Sequence, residues 1–320
     1  AYAVPTPADE SEAKHVEEIR EAKKKALAAL ERDLPLPEQK ALESAADVLA
    51  VSPAGFAEIL QKELSTLGFS GKQTKTGVLV STADLARLYR ARCLTEALIP
   101  VAESLPLDAA VIAKAADKTL VRPYRVELRG YPGERTVFIR ALTHALKGED
   151  NPSRYLDELR VVCHGSGLCD VFVKPCNVPD HRFDYRRQAI SASIAPSAAA
   201  CLARYALSFL PDSGGRIRVF DPFCGSGTLL FELEKAAPGS VLLGTDLSAT
   251  ALFAARTNAK AARSRAQFIQ RDILRFEPKE PFDLVLTNMP FGNRVGSHET
   301  NEPLYRGFVH LLPKLLIPGG

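Results

Sequence analysis

The sequence predicts an α/β fold for its C-terminal half, a parallel sheet with helices on both faces, preceded by smaller α+β domains. Three observations carry that expectation. Helix and strand patterns alternate from Ala195 onward, the rhythm of parallel strands joined by crossover helices. Two of the strand segments, residues 241–244 and 283–287, are apolar on successive positions, as in strands covered on both faces. Between the first strand and its helix lies a glycine-rich turn, Asp221-Pro-Phe-Cys-Gly-Ser-Gly-Thr228.

Each element follows from its local pattern. Residues 1–46 are rich in Ala, Glu and Lys and predict a charged helical extension interrupted at Pro35 and Pro37. Residues 47–105 predict a first α+β domain, with strands at 48–51 and 77–80, an amphipathic helix at 56–67 and a second helix at 83–98. Residues 106–187 predict another, with strands at 124–128, 159–163 and 169–173, a helix near 140–146 and a basic, aromatic ending from His181 to Arg187. The last domain, 188–320, opens on a helix at 195–210 and carries strands at 216–220, 241–244, 267–270 and 282–286.

Composition narrows the function classes. A chain of 320 residues with 46% apolar and 25% charged residues is an ordinary globular one, which excludes a disorder-dominated reading. Basic residues exceed acidic ones by three, 41 against 38, so a nucleic-acid partner is permitted but not demanded. The six cysteines, Cys93, Cys163, Cys169, Cys176, Cys201 and Cys224, form no CxxC pair. The cluster from Cys163 to Cys176 has intervals of five and six residues, unlike common zinc sites, so reduced thiols, no metal and a cytoplasmic setting are expected, with an organellar setting the alternative. No apolar run approaches the roughly 20 residues that cross a bilayer, and no membrane partner is expected.

The chemistry is concentrated at successive strand ends. Gly225 and Gly227 allow a sharp turn and a close backbone approach, and the following helix offers free N–H groups, a geometry suited to a nucleotide-like cofactor. Asp246 ends the second strand, where a carboxylate accepts from ribose hydroxyls; a helix cap is the competing role. Asp272 ends the third and is placed to accept from an adenine amino group, or stands simply as an exposed acid. After the fourth strand comes Thr287-Asn-Met-Pro-Phe-Gly-Asn-Arg294. An amine on an aromatic ring is a poor nucleophile because its lone pair is delocalised. The Asn288 side-chain oxygen and the Met289 carbonyl, both accepting from that amine, favour the pyramidal nitrogen needed for attack, while Pro290 fixes the turn and Phe291 stacks on the base. An Asn-x-Pro turn with a buried Phe is the structural alternative.

The segments DPFCGSGT, GTDLS, QRDIL and TNMPFGNR resemble the S-adenosylmethionine-dependent amino-methyltransferases, and most closely the THUMP-domain RNA guanine-N2 methyltransferases. That resemblance implies a Rossmann-like methyltransferase domain behind a ferredoxin-like domain and a THUMP-like RNA-binding domain. It implies S-adenosyl-L-methionine as cofactor, held by Asp221, Phe223, Gly225, Ser226, Gly227, Thr228, Asp246 and Asp272, with Asn288, Pro290 and Phe291 at the target base. RNA contacts are expected from Arg182, Arg186, Arg187 and Arg294, and from Arg122, Arg125, Arg129, Arg135 and Arg140. Transfer RNA is the expected substrate, and large-subunit ribosomal RNA or DNA adenine the alternatives. Met289 stands where Pro is common in this family, which leaves the carbonyl in place. The chain stops at a Pro-Gly-Gly turn that ordinarily leads into a fifth strand, so a C-terminally truncated domain is expected.

Two other classes share parts of this pattern. A nicotinamide dehydrogenase uses a glycine-rich loop and an acid after the second strand, but leaves the Asn-x-Pro-Phe segment without a role. A non-enzymatic RNA-binding scaffold would not need the complete set of cofactor residues.

Overall fold

The fold is that of a computed structural model, which describes residues 20–21, 23, 35–120, 122–190, 193–211, 216–290 and 298–320. The chain divides into two compact units, one formed by Lys40–Pro100 with Val178–Gly320, the other by Ala1–Gln39 with Val101–Asn177.

The first unit begins with strand β1 (Ala41–Val51), helix α1 (Ala57–Thr66), strands β2 (Gly71–Gln73) and β3 (Gly77–Asp84), a single turn α2 (Leu85–Leu88) and strand β4 (Glu96–Pro106), which runs on past Pro100. The strands lie in the order β2-β3-β1-β4, with β1 antiparallel to both neighbours. Two expectations are corrected here. Residues 41–46, expected to end a helical extension, are strand, and residues 83–98, expected as a helix, hold the end of β3, one helical turn and the start of β4. Pairing decides both: Ala46 lies opposite Thr82 and Leu98 opposite Leu49, so sheet contacts override the helical preference of Ala, Leu and Arg. The remainder of the expected extension lies almost entirely outside the described residues.

In the second unit, helix α3 (Ala109–Ala116) starts at Asp108, whose carboxylate accepts from the N–H groups of Ala110 at 2.9 Å and Val111 at 3.0 Å. Strand β5 (Tyr124–Arg129), helix α4 (Arg135–Ala145) and strands β6 (Asp157–Cys163) and β7 (Leu168–Pro175) follow, in the sheet order β4-β7-β6-β5. Three of the five arginines expected to reach RNA here make contacts within the unit. Arg122 Nε donates to buried Asp157 at 2.9 Å, Arg125 pairs with buried Glu158 at 2.6 Å, and Arg135 Nη1 donates to the Leu128 carbonyl at 2.6 Å.

The rest of the first unit is the expected α/β layer. Helix α5 (Pro196–Leu207), strand β8 (Arg218–Asp221), helix α6 (Thr228–Ala236), strand β9 (Val241–Asp246), helix α7 (Ala249–Ala262), strands β10 (Gln267–Gln270) and β11 (Leu284–Val285), and helix α8 (His298–Leu315) form it. The sheet order is β10-β9-β8-β11, every pair parallel. Neighbouring residues of β8 face opposite cores. Val219 packs with Leu230, Phe231, Leu242 and Leu252, while Phe220 packs with Ile273, Phe282, Phe308 and Leu315. Both faces of the strand are therefore buried, which is why its apolar residues do not alternate with polar ones.

The N-terminal segment is bound into this layer by buried charge. Arg92 donates from Nε and Nη2 to Glu232 on α6 at 2.6 and 2.8 Å, and Tyr185 donates to the same carboxylate at 2.6 Å. Glu63 on α1 pairs with Arg204 on α5 at 2.6 Å and accepts from the backbone N–H groups of Arg92 and Cys93 at 3.0 and 2.7 Å. Each carboxylate is nearly or fully buried and fully engaged, the condition under which burying an ion is tolerated.

Candidate active site

Strand β8 ends at Asp221, and the chain must then reverse within a few residues to start α6. Gly225 and Gly227 make that possible with φ of 54° and 82°, in the left-handed region that costs other residues strain. Gly227 has a second reason to be glycine, since a Cβ there would stand 2.7 Å from Phe231 Cζ. The turn is tied to the end of β9: Cys224 N–H donates to the Thr245 carbonyl at 2.9 Å, and Thr245 Oγ1 donates to the Pro222 carbonyl at 3.1 Å. Buried Asn258 on α7 braces it from behind, donating to the Ser226 carbonyl at 3.1 Å and exchanging hydrogen bonds with Gln188.

Asp246, at the end of β9, lies against this turn. Its Oδ2 accepts from Gly225 N–H at 3.0 Å and its Oδ1 from Ser248 N–H at 2.8 Å, so each oxygen keeps a lone pair for a ligand. The cap of α7 is Ser248, whose hydroxyl accepts from Ala251 N–H at 3.2 Å; the helix-cap alternative for Asp246 is thereby displaced. Asp272 does cap a short 3-10 turn, accepting from Leu274 N–H at 3.0 Å, while also facing the site.

These strand ends surround a cavity of about 650 Å³. Asp221, Phe223, Gly225, Ser226, Thr228, Asp246 and Asp272 line it, and so do Asn288 and Pro290. The expected cofactor and base-binding residues thus share one cavity, at the carboxyl ends of parallel strands where the connections from β8 and β11 diverge. Gly227 stands just behind the lining. Phe291 and Arg294 lie outside the described residues.

Asp221 is the electrostatic oddity. It is 1% exposed, and burial pushes its carboxyl up to about 7, against the pull of hydrogen bonds from Thr287 Oγ1 at 2.6 Å and Phe223 N–H at 3.2 Å; the nearby Asp246 carboxylate adds to the rise. Cys224 is buried beside it, and its thiol is raised far above the usual range by burial and by the charges of Asp221 and Asp246, so it is no nucleophile.

The segment from His181 to Arg187 departs from expectation. Arg182 is not available to RNA: its guanidinium donates to the carbonyls of Ala91 and, at 2.9 Å, Leu94, pairs with Asp180 at 2.7 Å and lies over the rings of Tyr89 and Phe183. The segment expected to close the middle domain therefore belongs structurally with the α/β layer. Arg187 is exposed, and Arg186 Nε is buried with no hydrogen-bond partner among the described residues. Sequence reasoning passed over Ile190, Ser193 and Asn301, which line the cavity together with Leu247 of the GTDLS segment and Leu304. Ser193 Oγ lies 2.9 Å from Ser226 Oγ, but no motif marks Ile190, Ser193 or Asn301.

Residues 184–320 match the family UPF0020, described as an RMKL-like methyltransferase domain. The tRNA (guanine(6)-N2)-methyltransferase of Thermus thermophilus is 35% identical over 141 residues, which cover 42% of this chain and 40% of that protein. The U6 snRNA (guanine-N(2))-methyltransferase THUMPD2 of Bos taurus is 31% identical over 93 residues, covering 28% of this chain and 19% of its own length. The chain thus spans less than half the length of these curated relatives. The crystal structure of TrmN from Thermus thermophilus superposes with a TM-score of 0.61 at 24% identity, over 85% of this chain and 86% of that one, a likeness of fold.

Proposed function

We propose that this chain, whose residues 184–320 are a methyltransferase domain of the RMKL-like family, transfers a methyl group from S-adenosyl-L-methionine to the N2 amine of guanine in RNA. The observation that carries the reading is the meeting of Asn288 and Pro290 with the glycine turn and Asp246 on one cavity. A single amino-group clamp beside a nucleoside-cofactor site is what direct methyl transfer requires.

The residues present suit that cofactor. Asp246 has a free lone pair on each oxygen for the ribose hydroxyls, Asp272 faces the same cavity to receive the adenine amino group, and the first turn of α6, where Thr228 and Leu229 line the cavity, offers helix N-terminal N–H groups to the methionine end. Bound there, S-adenosyl-L-methionine supplies a methyl group on a sulfonium, an electrophile that needs no further activation. The protein's part is orientation. The Asn288 side-chain oxygen and the Met289 carbonyl accept from the amine and hold its lone pair toward the donor. Held there by Asn288 and Met289, the amine would be presented in line with the donor site, and its surplus proton would leave to water.

Guanine N2 is favoured over adenine N6 because both curated relatives reported above are named for that atom, and transfer RNA is favoured by the higher identity of the bacterial one. Arg186, Arg187 and Arg294 are the proposed RNA contacts in this half of the chain. The test is nucleoside mass spectrometry of separated transfer, ribosomal and small nuclear RNA pools after incubation with protein and isotopically labelled S-adenosyl-L-methionine. Labelled N2-methylguanosine is the expected product. Label on adenine, or on DNA alone, would overturn the assignment.

A further inference from the structure

The clamp at Asn288 and Met289 follows a very short strand. The backbone ladder between β11 and β8 pairs Leu284 with Val219 and Val285 with Phe220, and Leu286 N–H still donates to the Phe220 carbonyl at 3.0 Å. Beyond it, two side-chain hydrogen bonds flank the clamp. On the near side Thr287 Oγ1 donates to Asp221 Oδ1 at 2.6 Å, at the carboxyl end of β8. On the far side Tyr305 OH, from α8, donates to the Pro290 carbonyl.

Both anchors are themselves rigid. Asp221 is 1% exposed and also fixed by Phe223 N–H at 3.2 Å. Helix α8 is seated by buried Phe308, whose ring meets Phe223 edge-on with centroids 5.6 Å apart, and by Leu315 in the core. The two bonds tie either end of a four-residue segment to parts of the fold that also wall the cofactor cavity. Tyr305 takes up the carbonyl of Pro290, the residue after the one whose carbonyl the amine needs.

We propose that Thr287 and Tyr305 are positioning residues which pin the Asn288–Met289 clamp at both ends and hold it in register with the glycine turn. The proposal rests on the function given above for its catalytic consequence, but not for its structural one. A displacement of about 1 Å at a clamp of this kind is enough to cost on the order of 100-fold in rate. Neither residue needs to touch the base for its removal to be felt.

The test uses Thr287→Val, Thr287→Ser and Tyr305→Phe with two readouts. The first is hydrogen–deuterium exchange of the peptide spanning residues 286–290. Exchange about tenfold faster in Thr287→Val and Tyr305→Phe, with Thr287→Ser close to wild type, is the expected result. Unchanged exchange, or equal acceleration in the serine variant, overturns the pins. The second readout is methyl transfer to RNA, in which kcat is expected to fall by about 10- to 100-fold in Thr287→Val while KM and cofactor affinity hold and serine restores the rate. Faster exchange in a protein whose wild type methylates no guanine leaves the pins standing and rejects the function. An active wild type whose variants keep both rate and exchange does the reverse.

Discussion

Asp221 gives the most quantitative consequence of the structure. A carboxyl held near pH 7 in the folded protein and near 3.8 in the unfolded chain binds its proton more tightly when folded. Between those two values the folded state carries the extra proton, so stability falls as pH rises through the window. The contribution is fully present below about pH 4 and gone above about pH 7. Roughly three pH units at about 1.4 kcal/mol each amount to on the order of 4 kcal/mol. Asp221→Asn removes the titration while keeping an oxygen to accept from Thr287 and Phe223. Urea unfolding of both proteins at about pH 4.5 and about pH 8 isolates the effect, because other titrating groups cancel in the difference. The variant is expected to gain on wild type by several kcal/mol across that interval. A difference in stability that stays constant with pH would refute the reasoning.

Other perturbations follow from the same contacts. A cationic ligand beside Asp221 favours its charged form, so cofactor binding near neutrality is expected to release a proton, read as a dependence of calorimetric heat on the ionisation enthalpy of the buffer. Asp246→Ala should weaken S-adenosyl-L-methionine binding by about 10- to 100-fold, measured by titration calorimetry, through loss of charge-assisted acceptors for the ribose. Gly227→Ala meets both a left-handed φ and a ring carbon 2.7 Å away, and a loss of about 3 kcal/mol or more in denaturant unfolding is expected. Arg92→Ala leaves the fully buried Glu232 carboxylate without its guanidinium and should cost about 3–5 kcal/mol, whereas Arg182→Ala should lower the melting temperature without changing the salt dependence of RNA binding.

The parts of the site legible in the sequence were those packed into contiguous motifs. A glycine turn after a strand, an acid at each following strand end and an Asn-x-Pro segment each hold their spacing because the sheet imposes it locally. Arg182 was misread for the opposite reason: a basic, aromatic run resembles a nucleic-acid surface, and the carbonyls of Ala91 and Leu94 that take its guanidinium lie some ninety residues away. Residues 41–46 and 83–98 were misassigned because Ala, Glu, Leu and Arg favour helix in isolation, while their strand pairing is long-range. The helix from Ala109 to Ala116 has a local signal in its Asp108 cap, but its eight residues span little more than two turns, too few for a clear apolar period. Nothing local marks Thr287 as the partner of Asp221, 66 residues earlier.

The unit that holds the cavity is assembled from two stretches separated by Val101–Asn177, and this sets an order of events during synthesis. Glu232 emerges 140 residues after Arg92, a delay of roughly 7–30 s at ordinary translation rates. Through that interval Arg92 lacks its buried acid, and the core that α1 already covers still awaits Ala200 and Cys201 of α5. The intervening segment is complete well before then and is free to fold first. Maturation of the unit that holds the cavity is therefore gated by the last third of the chain, and a ribosome stalled before Glu232 would display an unfinished apolar face to chaperones.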